Sequence, residues 1–433
     1  MKPFYCQYGR NLVSVSCILI LVITFLGCTE NPALNTEKEL SIEDPAAIES
    51  SINKKIASEI AKAEAKIQDF QAINSVGSQT SKEKRQVIVV YPGESIQSAV
   101  DEANPGALIL IKPGIYSEAV EINKSGLALI GLGGLSGEEV VIQNPGDEED
   151  GVLVRPAGGA ESVDGFAMYN ITVRDFLENG VFTVRTHNYF IAHVTTINNG
   201  EYGIFPVRSN NGVVFRSSAE GHTDAGIYIG QSENVWILNN RSYANVLGFE
   251  VENSSNIVTA HNYSADNTIG ILAVLLPPSQ FITVLESDNV LIAHNEVVNN
   301  NRDNFAEPGE LASFIPKGIG LMVIGVDRAR VIQNTVRDND LIGLGLGSTL
   351  LFGALAGLPP EAFEDIDPDA DNAEIKLNRV LNNGTNPPPL PALLTGIESD
   401  LFWDGSGDNN CWWNNEFETS VPSPLPLCSS PGI

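Results

Sequence analysis

The sequence predicts an all-β solenoid, a single-stranded parallel β-helix with inserted loops. Three observations carry this. Glycines that open short apolar segments recur at Gly180, Gly203, Gly226, Gly248 and Gly270, 23 or 22 residues apart, and Gly320 and Gly343 are again 23 apart. A second apolar segment follows each first one: "YFIAHV", "GVVFRS", "NVWILN", "NIVTAH", and later "NVLIAH", "ARVIQN" and "AEIKLN". Asparagines then form two columns, Asn240, Asn262, Asn295, Asn334 and Asn378, and, five residues on, Asn245, Asn267, Asn300, Asn339 and Asn383. Strands rise about 3.3 Å per residue and pair about 4.8 Å apart, so one such repeat with tight corners closes one coil, and coils stack in parallel. Stacked corner asparagines satisfy buried backbone groups and each other.

The N-terminus reads as an export signal over residues 1–27. Lys2 and Arg10 precede the apolar run "LVSVSCILILVITFLGC", too short and too N-terminal to be read first as a membrane span. Its end, "FLGC", resembles a bacterial lipoprotein signal, which implies lipidation of Cys28 after Gly27. The alternatives are an ordinary cleaved signal and an uncleaved anchor. The expected location is the bacterial cell envelope, anchored in the outer membrane or on the cell surface, or periplasmic or secreted if Cys28 carries no lipid.

Residues 28–85 read as a tether. Within it Ile52, Ile56, Ile60, Ala63 and Ile67 fall three or four apart and make one apolar helical stripe. The β-helix domain is expected over 86–433. It opens as strand, helix, strand, with Ser95 as N-cap of "IQSAVDEA". Of the 5 cysteines, Cys6 and Cys17 leave with the signal and Cys28 takes lipid. Cys411 and Cys428 remain, and in an exported chain they read as a disulfide closing a Pro-rich tail.

The net charge is -29, and it becomes -31 once Lys2 and Arg10 leave with a signal that has no acid. Such a surface repels phosphate backbones and excludes nucleic acid as a partner. The Asn columns later widen to intervals of 33, 39 and 44. The excess is loop: "LLPPSQFITVLESD", "NRDNFAEPGELASFIPK", "STLLFGALAGLPPEAFEDIDPDAD" and "NPPPLPALLTGIESDLFWDG". Long apolar loops in a compact repeat are expected to pack over one side, or to dock a protein partner of the envelope.

Alternation after each glycine places Val181, Ile204, Ile227, Phe249 and Ile271 inward. Outward come Phe182, Phe205 and Tyr228, an aromatic ladder running into Glu250 and Glu252, with Arg185 and Arg208 at the next corner. Aromatic faces stack on sugar C–H faces, and paired carboxylates do acid–base work or hold a cation. The ladder and Arg185 are therefore substrate-binding candidates, and Glu250, Glu252 and Arg208 catalytic ones. The competing reading is that the loops cover the ladder and make it a second core.

His222 and Asp224, in "EGHTDAGIYIGQ", are a second catalytic candidate pair. Against this, His222 stands in the column of Asn245 and Asn267, where it would serve as a corner residue. Asp365, Asp367, Asp369 and Asp371 alternate as Ca²⁺ ligands do, although Asn372 stands where an EF-hand requires glycine; the alternative is a solvated acidic loop. "DGSGDNN" is a weaker case of the same kind. "GLGGLSGEE" lacks the Lys-Ser/Thr of a phosphate loop and reads as a corner.

"YGIFPV" at Tyr202–Val207 resembles the Tyr-Gly-Phe-Asp-Pro-His stretch of mannuronan epimerases, right-handed parallel β-helices of the pectate-lyase-like kind. The right-handed winding is what this resemblance implies. Phe205 stands in place of the Asp and Val207 in place of the His, so the resemblance implies the geometry without that chemistry. "YGIFPVRS", "DAGIYIGQSENV", "GFEVENSSN", "GILAVLLP", "NNNRDNFA" and "NNCWWNNEFETS" resemble an exported family of parallel β-helix repeat proteins, which implies the fold and no particular activity. The expected function is polysaccharide contact, binding or structural rather than catalytic. The alternatives are a polysaccharide lyase or epimerase-like enzyme with a non-standard site, and an envelope protein-docking module.

Overall fold

The inward positions stack as the alternation requires. Val181, Ile204, Ile227, Phe249 and Ile271 are fully buried and follow one another in register from coil to coil. Each contributes about 1.5–3 kcal/mol of burial. The computed structural model describes residues 85–133 and 138–428, with scattered positions of 50–65. Their strands form three parallel sheets of 12, 11 and 10 strands, and each strand pairs with its counterpart one coil away. The chain is a right-handed parallel β-helix, with its core inside the coil.

The glycine repeat has a steric cause. At Gly203 a Cβ would collide with the Gly226 carbonyl, Thr196 and His222, and at Gly226 with Ser242 and Asn245. Both columns of corner asparagines are bonded as expected. Asn262 Oδ1 accepts from the Asn240 backbone N–H at 2.8 Å, and Asn262 Nδ2 donates to Ile237 O at 2.9 Å and to Asn295 Oδ1 at 3.0 Å. The second column repeats this through Asn245, Asn267 and Asn300. Other corner residues, including Arg185, Arg208, Gln231 and Asn253, have φ between 43° and 50°, which suits polar turn residues.

Helix Ile96–Glu102 packs against strands Val87–Val90 and Val120–Ile122, and Ser95 caps it through Ser98 N–H. At the other end the disulfide Cys411–Cys428 joins the last long-sheet strand, Cys411–Trp413, to the tail. The described positions among 50–65 are helical and none is buried. The stripe Ile52, Ile56, Ile60, Ala63 and Ile67, the signal with Cys28, and the middle of "GLGGLSGEE" lie outside the described residues. Among the described residues no helix is long and apolar enough to cross a membrane.

Candidate functional site

The outer face of the 11-stranded sheet gathers the aromatic ladder and the paired glutamates. Leu153, Phe182 and Phe205 stand in register on it, and Tyr228, Glu250, Leu272 and Met322 continue the row. Phe182 and Phe205 stack with centroids 4.8 Å apart, and Tyr228 meets Phe205 edge-on at 4.8 Å. Tyr202 lies flat on Phe205 at 3.9 Å. Both reach the geometry aromatic pairs prefer.

The inserted loops cover only part of this face. Phe182 and Phe205 are half-buried, whereas Tyr228 keeps 4% of its surface exposed. Beyond Tyr228 the row packs under Ile315, Phe352 and neighbouring loop residues in an apolar layer. There the second-core reading holds, and Tyr228 belongs to it. Before Tyr228 the face is open, and toward its N-terminal end it forms a hollow lined by Gln97, Glu121, Lys124, Glu149, Leu153 and Arg155.

Three carboxylates meet where cover and groove join. Glu250 is buried, with 7% exposure, and among the described residues no hydrogen bond or ion pair reaches its carboxylate. A Cβ at Gly230 would collide with Tyr228, so glycine lets that ring lie along its own strand. The Tyr228 hydroxyl thereby bonds Glu252, which pairs in register with Gly230. Tyr202 donates to Asp224 Oδ2 at 2.8 Å. Burial pushes Asp224 and Glu252 up to about 7, opposed in each by the tyrosine bond. Glu250 is raised well above the usual carboxylate range by burial and then by Asp224 and Glu252. The trio shares negative charge poorly and holds protons at neutral pH.

A row of acids that the first-strand pattern did not single out runs along one rim. Glu149, Glu178, Glu201 and Asp224 occupy the same corner of four successive coils. Their backbones bond in sequence, Glu178 to Glu149, Glu201 to Glu178 and Asp224 to Glu201. The signal was present as an acid two residues before Gly151, Gly180, Gly203 and Gly226. Asp150 stands beside the row and accepts from Asn179 at 2.7 Å. Asp150, Glu178 and Glu201 are all raised, first by burial; Glu149 and Asp150 then raise Glu178, and Glu178 and Glu310 raise Glu201.

The opposite rim carries Arg155, Arg185 and Arg208. Arg155 is paired with Glu121 at 2.9 Å. Arg208, a catalytic candidate from sequence, instead donates to Phe281 O at 2.8 Å and, with Gln231, ties down the loop after Leu276. Arg185 is exposed and makes no bond among the described residues.

Two further expectations are corrected. His222 is fully buried inside the coil, with ring nitrogens on Asn199 O at 3.0 Å and Thr196 Oγ1 at 3.2 Å, while its backbone N–H bonds Asn245. Burial lowers it to about 4. It is a corner residue, and Asp224 two positions on turns outward to Tyr202, so the two do not form a catalytic pair. The acidic loop does not gather its carboxylates. Asp365 and Asp367 are exposed, Asp369 N–H turns to Asp367, and Asp371 Oδ1 accepts from Asp408 N–H at 2.6 Å. Among the described residues no three such side chains converge to hold a metal ion.

Comparison with known proteins agrees on the fold. A family described as right handed beta helix region matches residues 150–306. The A-module of a mannuronan C-5 epimerase from Azotobacter vinelandii is 17% identical, with TM-score 0.50, over 74% of this chain and 90% of that one. A variant of the DFA-IIIase from Arthrobacter chlorophenolicus is 13% identical, with TM-score 0.50, over 72% of this chain and 74% of that one. A search of curated proteins returned no significant match.

Proposed function

We propose that the chain is an exported protein that holds a polysaccharide along the open part of the 11-stranded sheet. The observation that carries this is the half-buried stack of Phe182, Phe205 and Tyr202, set in a groove between an acidic and an arginine rim. Stacked aromatic faces in a half-open groove offer the sugar C–H contacts described above. Export is supported by the disulfide between Cys411 and Cys428, and the expected signal with lipidation at Cys28 would anchor the chain in the envelope. The fold is shared with an enzyme named for mannuronan, but Phe205 and Val207 supply neither acid nor base at the resembling positions.

The test is binding of a glycan panel, followed by proton NMR, with Phe182→Ala and Phe205→Ala as variants. Line broadening that the variants abolish supports the reading. Broadening that survives both moves the site elsewhere.

A second reading is favoured by the Asp224, Glu250 and Glu252 trio. Carboxyls that titrate near neutrality are suited to proton transfer. As a lyase or epimerase-like enzyme, the chain would use Glu252, half-buried at the groove edge, to exchange a proton with the sugar. New vinyl or anomeric signals in the same spectra, lost in Glu252→Gln, would establish it; an unchanged substrate after prolonged incubation would leave binding alone.

A further inference from the structure

The acidic rim is unusual in what it lacks. Glu149, Glu178 and Glu201 have no hydrogen bond to their carboxylates and no ion pair among the described residues. Each stacks on the next at the strand spacing of about 4.8 Å. Like charges so placed repel, and the fold retains four of them in a row. The basic groups across the groove offer no relief, because Arg155 is engaged by Glu121 and Arg208 by Phe281 O. Glu250, nine-tenths buried and without a bonding partner, faces the same groove at its closed end.

The arrangement is linear. A single multivalent cation needs several carboxylates around one point, and no such convergence exists among the described residues. One carboxylate per coil instead matches a ligand that carries one positive charge per repeat. An extended pyranose chain advances by nearly the strand spacing for each residue, and it would lie on the aromatic row beside the rim. Uronate chains fit poorly, since they would set a second line of negative charge against the first.

We propose that the groove takes an amino-bearing glycan, a chain of glucosamine-type residues, whose ammonium groups pair with Glu149, Glu178, Glu201 and Asp224. This rests on the reading of the face as a glycan groove. Tyr202 joins the two halves of the site, with its ring on the aromatic row and its hydroxyl on the acid row. The upward displacement of Glu178, Glu201 and Asp224 accords with a rim that lacks its counter-charges.

Calorimetry on the full chain tests this with four probes: a β-linked glucosamine oligomer, its N-acetylated form, a uronate oligomer and oligolysine. The glucosamine oligomer is expected to bind, to weaken with salt, and to lose about tenfold or more in the Glu178→Gln/Glu201→Gln double variant. Glutamine relieves repulsion along the rim, so the variant is expected to fold. Phe182→Ala/Phe205→Ala should abolish binding as well. If the N-acetylated or uronate oligomer binds as tightly, and the glutamine variant is unaffected while the Phe variant fails, the amino-glycan proposal falls and the groove stands. If oligolysine binds equally and indifferently to the Phe residues, the proposal falls as simple ion exchange. If no glycan binds, both the groove and the amino-glycan proposal fall.

Discussion

Tyr202 donates its hydroxyl to Asp224 at 2.8 Å, from a ring that lies flat on Phe205. The bond crosses one coil and joins the acidic rim to the aromatic floor. It also favours the charged form of Asp224 against the burial that disfavours it. Tyr202→Phe is expected to raise the Asp224 carboxyl further and to cost about 1 kcal/mol above its titration. Carboxyl carbon shifts followed against pH would check this; an unmoved Asp224 titration would mean the bond is not made.

Glu250→Gln should stabilise the protein at high pH only. The carboxyls of Asp224, Glu250 and Glu252 titrate higher in the folded chain than the usual unfolded values. Their contribution is therefore full below about pH 4 and is lost as pH rises through about 7. Removing one charge from the trio is expected to gain about 1–3 kcal/mol above about pH 8 and nothing near about pH 4. Urea unfolding at both pH values reads this directly. Destabilisation at the higher pH would reveal a cationic partner for Glu250.

The asparagine columns should be costly to interrupt. Asn262→Ala leaves the buried Asn240 N–H and Ile237 carbonyl without their partners. The expected loss is about 3 kcal/mol, from two buried groups left unsatisfied. A midpoint shift corresponding to less than about 1 kcal/mol would imply that water replaces the side chain.

The disulfide should stabilise one end. Cys411 and Cys428 are 17 residues apart, and closing such a loop contributes about 3 kcal/mol in the chain-entropy account. Reduction is expected to raise hydrogen exchange in strand Cys411–Trp413 and the tail, and to leave the coils around Phe249 protected. Uniform loss of protection would show instead that the solenoid unfolds as one unit from that end.

The coil was legible because its causes are local and repeated. Gly203 and Gly226 recur where a Cβ would collide with the next coil, and Asn240, Asn262 and Asn295 recur where the same corner needs the same bonds. The acid row at Glu149, Glu178, Glu201 and Asp224 obeyed the same register, yet it stayed hidden behind a search that began after each glycine. His222 and Asp224 misled for the opposite reason. Two neighbours at a corner face opposite sides of the wall, and nearness in sequence says nothing of that.

The sequence by itself determined the solenoid, its register, its inward side chains and its closing disulfide. Each of these follows from packing one repeat on an almost identical one. Only the tertiary structure decided where the face is open. The loops that contain Ile315 and Phe352 bury Tyr228 and Leu272 but stop short of Phe205. How far a loop reaches depends on contacts between segments distant in the chain, which no repeat encodes. That reach leaves Phe182 and Phe205 to the groove and confines Glu250, without a bonding partner, at its closed end.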